Sequence, residues 1–278
     1  MSRSTTARTF LTLLGGVAIL AVAACGTTNP SASATDARAT SSSHAAHARA
    51  DSLVGRYAHY DVVAYGSASM KTLIVSFGFT DLARRGNALV ATESFCHADY
   101  RSGSPITVTI SDAATSAIKP VSIAVVNYTK DGKIHLYRAE TPTGIGIHFA
   151  NPAHDVLPTN PNDPRIADDD HDGLPGITVH IKVSDAIQGD LYIARRERFA
   201  YNVTQQLDRS LTGTVTDHSE QLIVGATNDI FKTKDHWIQL ADLTKSPIIL
   251  KPVSQSWGCT QLMAERNSLF PPTPNVDW

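Results

Sequence analysis

Apolar and polar residues alternate with a period of two along most of the chain, and helical spacing never persists beyond about two turns, so the pattern predicts strands. Ile177, Val179, Ile181 and Val183 project to one side and Thr178, His180, Lys182 and Ser184 to the other, as a strand with one solvated face requires. Ile106, Val108 and Ile110 alternate just as strictly with Thr107 and Thr109. Residues 121–128 and 134–138 flank Asp131-Gly132, a pair suited to a tight turn with positive φ, and read as a hairpin. Further strands are read at 57–65, 72–79, 88–96, 144–149, 191–203, 211–216, 221–226 and 248–253, with 84–87 turning one strand back as the next. Single helical turns are expected at 111–118 and 237–243.

Many short strands separated by Gly, Asn, Asp and Pro favour an all-β fold, either an antiparallel barrel or a sandwich. The barrel is preferred because the strand candidates are nearly continuous and closure leaves no exposed edge. No internal repeat is visible.

The amino terminus breaks the pattern. Arg3 and Arg8 precede an apolar run over 10–22 that is too short to span a bilayer and has the layout of an export signal. Val22-Ala23-Ala24-Cys25 resembles the lipobox of bacterial lipoproteins. The resemblance implies cleavage before Cys25, diacylglycerol on its thiol, palmitate among the attached acyl chains, and a bilayer as the first partner. An ordinary secretory signal with a chance cysteine is the alternative. No arginine pair precedes the run, which points to the general secretory route. Residues 25–52, rich in Ala, Ser and Thr, have too little apolar bulk to offset ordering entropy and read as a disordered tether. Residues 53–278 remain as a single extracytoplasmic domain.

Charge narrows the partners. The whole chain is −2, and removing residues 1–24 takes away two arginines and no acid, leaving −4, which argues against nucleic acid. Export also makes oxidation possible, so the two remaining thiols, Cys96 and Cys259, are expected to form a disulfide, with two buried free thiols as the alternative. The start Gly55-Arg56-Tyr57, with a disulfide from an early strand to the chain's end, resembles lipocalin-like barrels.

The strongest chemical signal is Asp168-Asp169-Asp170-His171-Asp172-Gly173-Leu174-Pro175-Gly176. Asp168, Asp170 and Asp172 fall at positions 1, 3 and 5 of a D-x-D-x-D-G loop, Gly173 sits at the sharp turn, and Leu174 offers its backbone carbonyl. Carboxylate oxygens at alternate positions suit calcium, and so many adjacent acids repel one another without a cation. The twelfth position is Val179, not a bidentate Glu, and a strand follows where an EF-hand has a helix. Further ligands are sought in Asp155, Asn162 and Asp163. A solvated acidic turn is the alternative.

The stretch Asn151-Pro152-Ala153-His154-Asp155-Val156-Leu157-Pro158-Thr159, followed by Asn162-Asp163-Pro164-Arg165, the acidic loop and Ile177-Thr178-Val179, resembles a motif of a family of bacterial envelope lipoproteins without an assigned activity. The likeness extends more loosely to Arg195–Arg198, to the segment 220–226 and to Cys259. It implies one extracytoplasmic β domain with a calcium-type loop and leaves the reaction or ligand open.

No zinc-protease, serine-hydrolase elbow or phosphate-loop motif is present. His97 with Asp99, or His154 with Asp155, offers pieces of a convergent His/Asp/Ser site whose proximity a sequence does not reveal. Arg196 and Arg198 share one strand face and Arg195 and Glu197 the other. A lumen-facing arginine pair would suit an anionic ligand, and a solvated face is the simpler expectation. The resulting picture is a lipid-anchored, calcium-stabilised envelope domain that binds a small molecule or a protein, with a hydrolase as the competing reading.

Overall fold

A computed structural model describes residues 46–47, 49–67, 70–232 and 237–276. In chain order its elements begin with β1 (Gly55–Gly66), β2 (Lys71–Arg85), β3 (Ala88–Ser102), β4 (Thr107–Ile110) and helix α1 (Asp112–Ser116). There follow β5 (Ser122–Lys130), β6 (Lys133–Arg138), β7 (Thr143–Ile145), β8 (Ile177–Ser184), β9 (Ile187–Glu197) and β10 (Phe199–Gln205). The last are β11 (Leu211–Asp217), β12 (Glu220–Ala226), β13 (Ile238–Gln239), β14 (Pro247–Val253) and helix α2 (Cys259–Leu269).

Eight of these strands close an antiparallel barrel in the order β1-β2-β3-β5-β6-β10-β11-β14, with β14 pairing back onto β1. Barrel order therefore equals chain order. Three tight turns, β2–β3, β5–β6 and β10–β11, lie at one end, because each connects strands in register at that end. At the other end the chain makes long excursions. They supply a second sheet ordered β12-β9-β8-β4, with β7 paired to β9.

Alternation decides what each face of β1 does. Tyr57, Val63 and Tyr65 join Leu82, Leu136, Val203 and Leu250 in the cluster that fills the lumen. Ala58, Tyr60, Val62 and Ala64 instead meet Leu262 and Phe270 of the carboxy-terminal segment, which covers that face of the barrel. With both faces covered, β1 is buried on successive residues from Tyr57 to Tyr65 and lacks the polar–apolar alternation of a half-solvated strand. A disulfide joins Cys96 on β3 to Cys259 at the start of α2, with Cα atoms 5.4 Å apart and a sequence separation of 163.

The β5–β6 turn takes the positive φ that its Asp-Gly pair suggests, +51° at Asp131 and +72° at Gly132. Helix α1 falls inside the expected turn at 111–118, capped by Ser111, whose hydroxyl accepts the Ala114 amide.

Four expectations need correction. Residues 46–47 and 49–52, read as tether, are helical together with Leu53, and Ala50 and Leu53, three apart, pack among the lumen side chains at the hairpin end. The stretch 191–203 is two strands in different sheets, broken at Arg198, where no turn residue marks the change. The helical turn expected at 237–243 is the short strand β13, held to Tyr65 and Gly66, with a 3-10 turn only from Leu243. Helix α2 escapes the sequence reading because Leu262 is its single fully buried side chain, which leaves no apolar stripe to see.

Candidate functional site

The acidic loop connects the Asn151–Arg165 segment to β8 and lies over β9. His171 at φ +60° and Gly173 at φ +87° turn the chain back on itself. Gly146 and Gly176, also at positive φ, let the backbone close on β9, where an added Cβ would come within 2.6 and 2.4 Å of the Ile193 carbonyl oxygen. Within the loop Asp168, Asp170 and Asp172 each offer a carboxylate oxygen, and the three atoms lie within 4.8 Å of one another. The Asp168 oxygens accept the amides of Asp172 and Gly173, at 3.1 and 2.9 Å. Asp172 accepts the Leu174 amide at 2.8 Å and the Thr178 hydroxyl. Asp170 Oδ2 accepts the Thr178 amide at 2.9 Å, whereas its Oδ1 is buried and has no hydrogen-bond partner.

An anionic oxygen withdrawn from water without a donor is costly unless a cation meets it. Burial raises the Asp170 pKa, and the neighbouring Asp172 and Asp168 carboxylates add to the shift. The donor set, all hard oxygens, fits calcium. Other acids nearby are already engaged. Asp169 accepts the Gly146 amide at 2.7 Å and faces His148 Nε2 at 2.8 Å. Arg165 donates to both oxygens of Asp163, at 2.8 and 2.9 Å, and holds its pKa at about 2. Asp155 accepts the Asn151 amide at 2.7 Å. Among the described residues Asp155 and Asp163 therefore do not join the metal-competent group.

A cavity of about 80 Å³ lies between the barrel mouth and the second sheet. Val63, Tyr65 and Tyr100 line it from the barrel, and Ile145, Ile193 and Arg195 from the sheet. Alternation on β9 turns Arg195 and Glu197 inward. Arg195 donates to Glu197 at 2.5 Å and to the Tyr65 hydroxyl at 3.2 Å, and Tyr65 in turn donates to Asp217 at 2.7 Å. Burial opposes the Arg195 charge, but Glu197, Tyr65 and Asp217 outweigh it and hold the guanidinium protonated. The arginine facing inward is thus Arg195, already neutralised. Arg196 donates to the carbonyls of Pro152 and Ala153 and to Glu220, and Arg198 to Glu140. Both act as clamps on loops.

Deeper in the lumen lies a polar layer that the sequence reading missed, since its members come from five strands. Arg138, 2% exposed, donates to Glu93 at 3.1 Å and to the Phe199 carbonyl at 2.5 Å, and stacks on the Phe199 ring. Tyr201 donates to the other Glu93 oxygen at 3.0 Å, and its burial pushes the phenol pKa well above the ordinary value. Beside them His59 bridges Thr80 Oγ1 at 2.8 Å and Asp61 Oδ2 at 2.9 Å. This is a carboxylate–imidazole–hydroxyl chain of the kind a hydrolase uses, but His59 and Thr80 are 0% exposed and neither borders the cavity. The pairs suggested by sequence fare no better. His97 sits between Asp112 at 2.6 Å and Asp99 at 3.2 Å without a hydroxyl, and His154 makes no ion pair with Asp155 among the described residues.

Cys25, the lipobox and most of the tether lie outside the described residues. No family model, no curated protein and no solved structure matches the chain.

Proposed function

We propose that this chain is a membrane-anchored envelope lipoprotein, resembling in its loop motif the lipoprotein family noted above, whose calcium-stabilised β domain binds a partner. The observation that carries the calcium reading is the buried, donorless Oδ1 of Asp170 among three converging carboxylates. The lipobox-like Val22-Ala23-Ala24-Cys25 carries the anchor. Calcium would fasten the acidic loop to β8 through Asp170 and Asp172 and so hold the second sheet in place. The enclosed cavity of about 80 Å³ between barrel mouth and second sheet holds only a few waters, and the roomier recess, about 370 Å³ beside Lys130, Lys133 and His135, is an open surface feature, which favours a partner recognised on the outer surface. The hydrolase reading has the His59 chain in its favour, but a hydroxyl sealed from solvent meets no substrate.

The test has two arms. Calcium added to the EDTA-treated chain should raise its melting temperature and release or absorb heat in a titration. No shift and no heat would end the metal claim. In cells, radioactive palmitate should label the wild-type chain and not Cys25→Ser. Label retained in that variant would end the anchor claim.

A further inference from the structure

The two ends of the barrel differ in charge, and the difference is local. The excursion from residue 139 to 198 holds ten acidic and five basic residues. At the hairpin end the balance reverses. Arg85 on the β2–β3 turn, Lys130 and Lys133 on the β5–β6 turn and Arg209 on the β10–β11 turn are all exposed. None of them makes an ion pair among the described residues. The acids at that end are mostly spent: Asp81 pairs with Arg56, Asp51 with Arg84 and Asp208 with Lys251.

A second observation concerns apolar surface at the same tips. Leu207, next to Asp208 and Arg209, is fully exposed at 107%, and nothing in the fold gives it a reason to be apolar. A third is the route of the chain. The helical residues 49–53 plug this end, where Gln205 donates to the Ser52 carbonyl and Arg84 reaches Asp51. The described chain, which begins at residue 46, therefore enters the domain here.

We propose that the hairpin end is a docking face for an anionic lipid surface, with Lys130, Lys133, Arg85 and Arg209 over the headgroup phosphates and Leu207 inserted beneath them. Basic side chains near an anionic leaflet each add attraction that decays within a Debye length, and an apolar side chain at a turn tip gains by leaving water. The net negative charge of the chain as a whole makes long-range attraction to phosphate weak, so binding depends on orientation. The hairpin tips face the membrane, and the acidic loop and second sheet point away from it. This goes beyond the lipid anchor and does not need it.

The test uses the unlipidated chain from Gly26 onward, because every described contact lies within residues 46–276. It is sedimented with vesicles of phosphatidylcholine alone or with phosphatidylglycerol added. We expect binding to the anionic vesicles only, weakening as salt rises. Lys130→Glu with Lys133→Glu should lower the partition coefficient by at least about tenfold, and Leu207→Ala by a few-fold. A far-end control, Lys182→Glu with Lys232→Glu, should leave it unchanged, and all variants should keep the wild-type melting temperature. Equal binding to neutral vesicles, no binding to anionic ones, or an equal loss in the far-end control overturns the proposal. None of these outcomes bears on palmitate labelling of Cys25, so the anchor stands or falls separately.

Discussion

The barrel lumen and the acidic loop both withdraw carboxylates from water, but they settle the charge differently. Glu93 is answered within the chain, one oxygen by Arg138 and the other by Tyr201. Asp170 is answered only in part, by one amide, while Asp168 and Asp172 crowd it. With both carboxylate oxygens met, the Glu93 charge asks nothing of the surroundings, although Arg138 Nε beside it is buried without a hydrogen-bond partner. On the calcium proposal, a carboxylate answered only in part leaves the second sheet dependent on a cation, so the two regions should respond to different perturbations.

The largest effect belongs to the barrel. Reducing Cys96–Cys259 frees a loop of 163 residues and should lower unfolding stability by about 5 kcal/mol in the chain-entropy account, measured by urea titration with and without reductant. Next, Arg138→Ala leaves Glu93 buried without its cation and should cost about 3–5 kcal/mol by the same titration, at any calcium level. A loss under about 1 kcal/mol would mean that the lumen network is as incomplete as the loop.

The loop should show a smaller and conditional effect. A hundredfold excess of calcium over its dissociation constant stabilises by about 2.7 kcal/mol, read as a rise in melting temperature that Asp170→Asn abolishes. If EDTA instead unfolded the barrel as deeply as loss of Arg138, the distinction between the regions would fail.

The smallest effect is in acid, without metal. The folded-state pKa of Asp170 is raised, so the folded loop holds its proton more tightly than the unfolded chain and gains stability as pH falls through the carboxylate range. Asp163, held at about 2 by Arg165, works the other way. Its contribution is present above the ordinary carboxylate pKa and is lost as pH falls towards 2. Carboxyl resonances followed by NMR should therefore show Asp170 titrating above Asp163, and calcium should narrow the gap by pulling Asp170 down.

What could be read from sequence was what is local. The alternation of Ile177, Val179 and Ile181, the Asp131-Gly132 turn and the Asp168-Asp170-Asp172 spacing each depend on a few neighbouring residues, and each reappears in the structure as a strand, a hairpin and a three-oxygen cluster. The two lone thiols also sufficed to anticipate Cys96–Cys259. Long-range partners were not legible. Nothing near Glu93 announces Arg138, 45 residues on, or Tyr201, 108 residues on. Asp163 looked available as a ligand because its capture by Arg165 is a matter of side-chain direction. The ends of the barrel were hidden for the same reason, since Ala50 and Leu53 acquire their burial only when eight strands surround them.

Because the barrel's strands follow one another around the circle, each pairing except the last joins strands that are successive in the barrel, four of them directly and three across an excursion. The exception is β1 with β14, whose partners, such as His59 and Leu250, stand at opposite ends of the domain. A growing chain can thus zip progressively while its first strand keeps an open edge, and both ring closure and oxidation of Cys96 wait for residues 247–259 to arrive. Assembly should show fast hairpin formation followed by one slow closure step, and truncation before β14 should leave a sticky, unpaired strand and not a smaller stable domain.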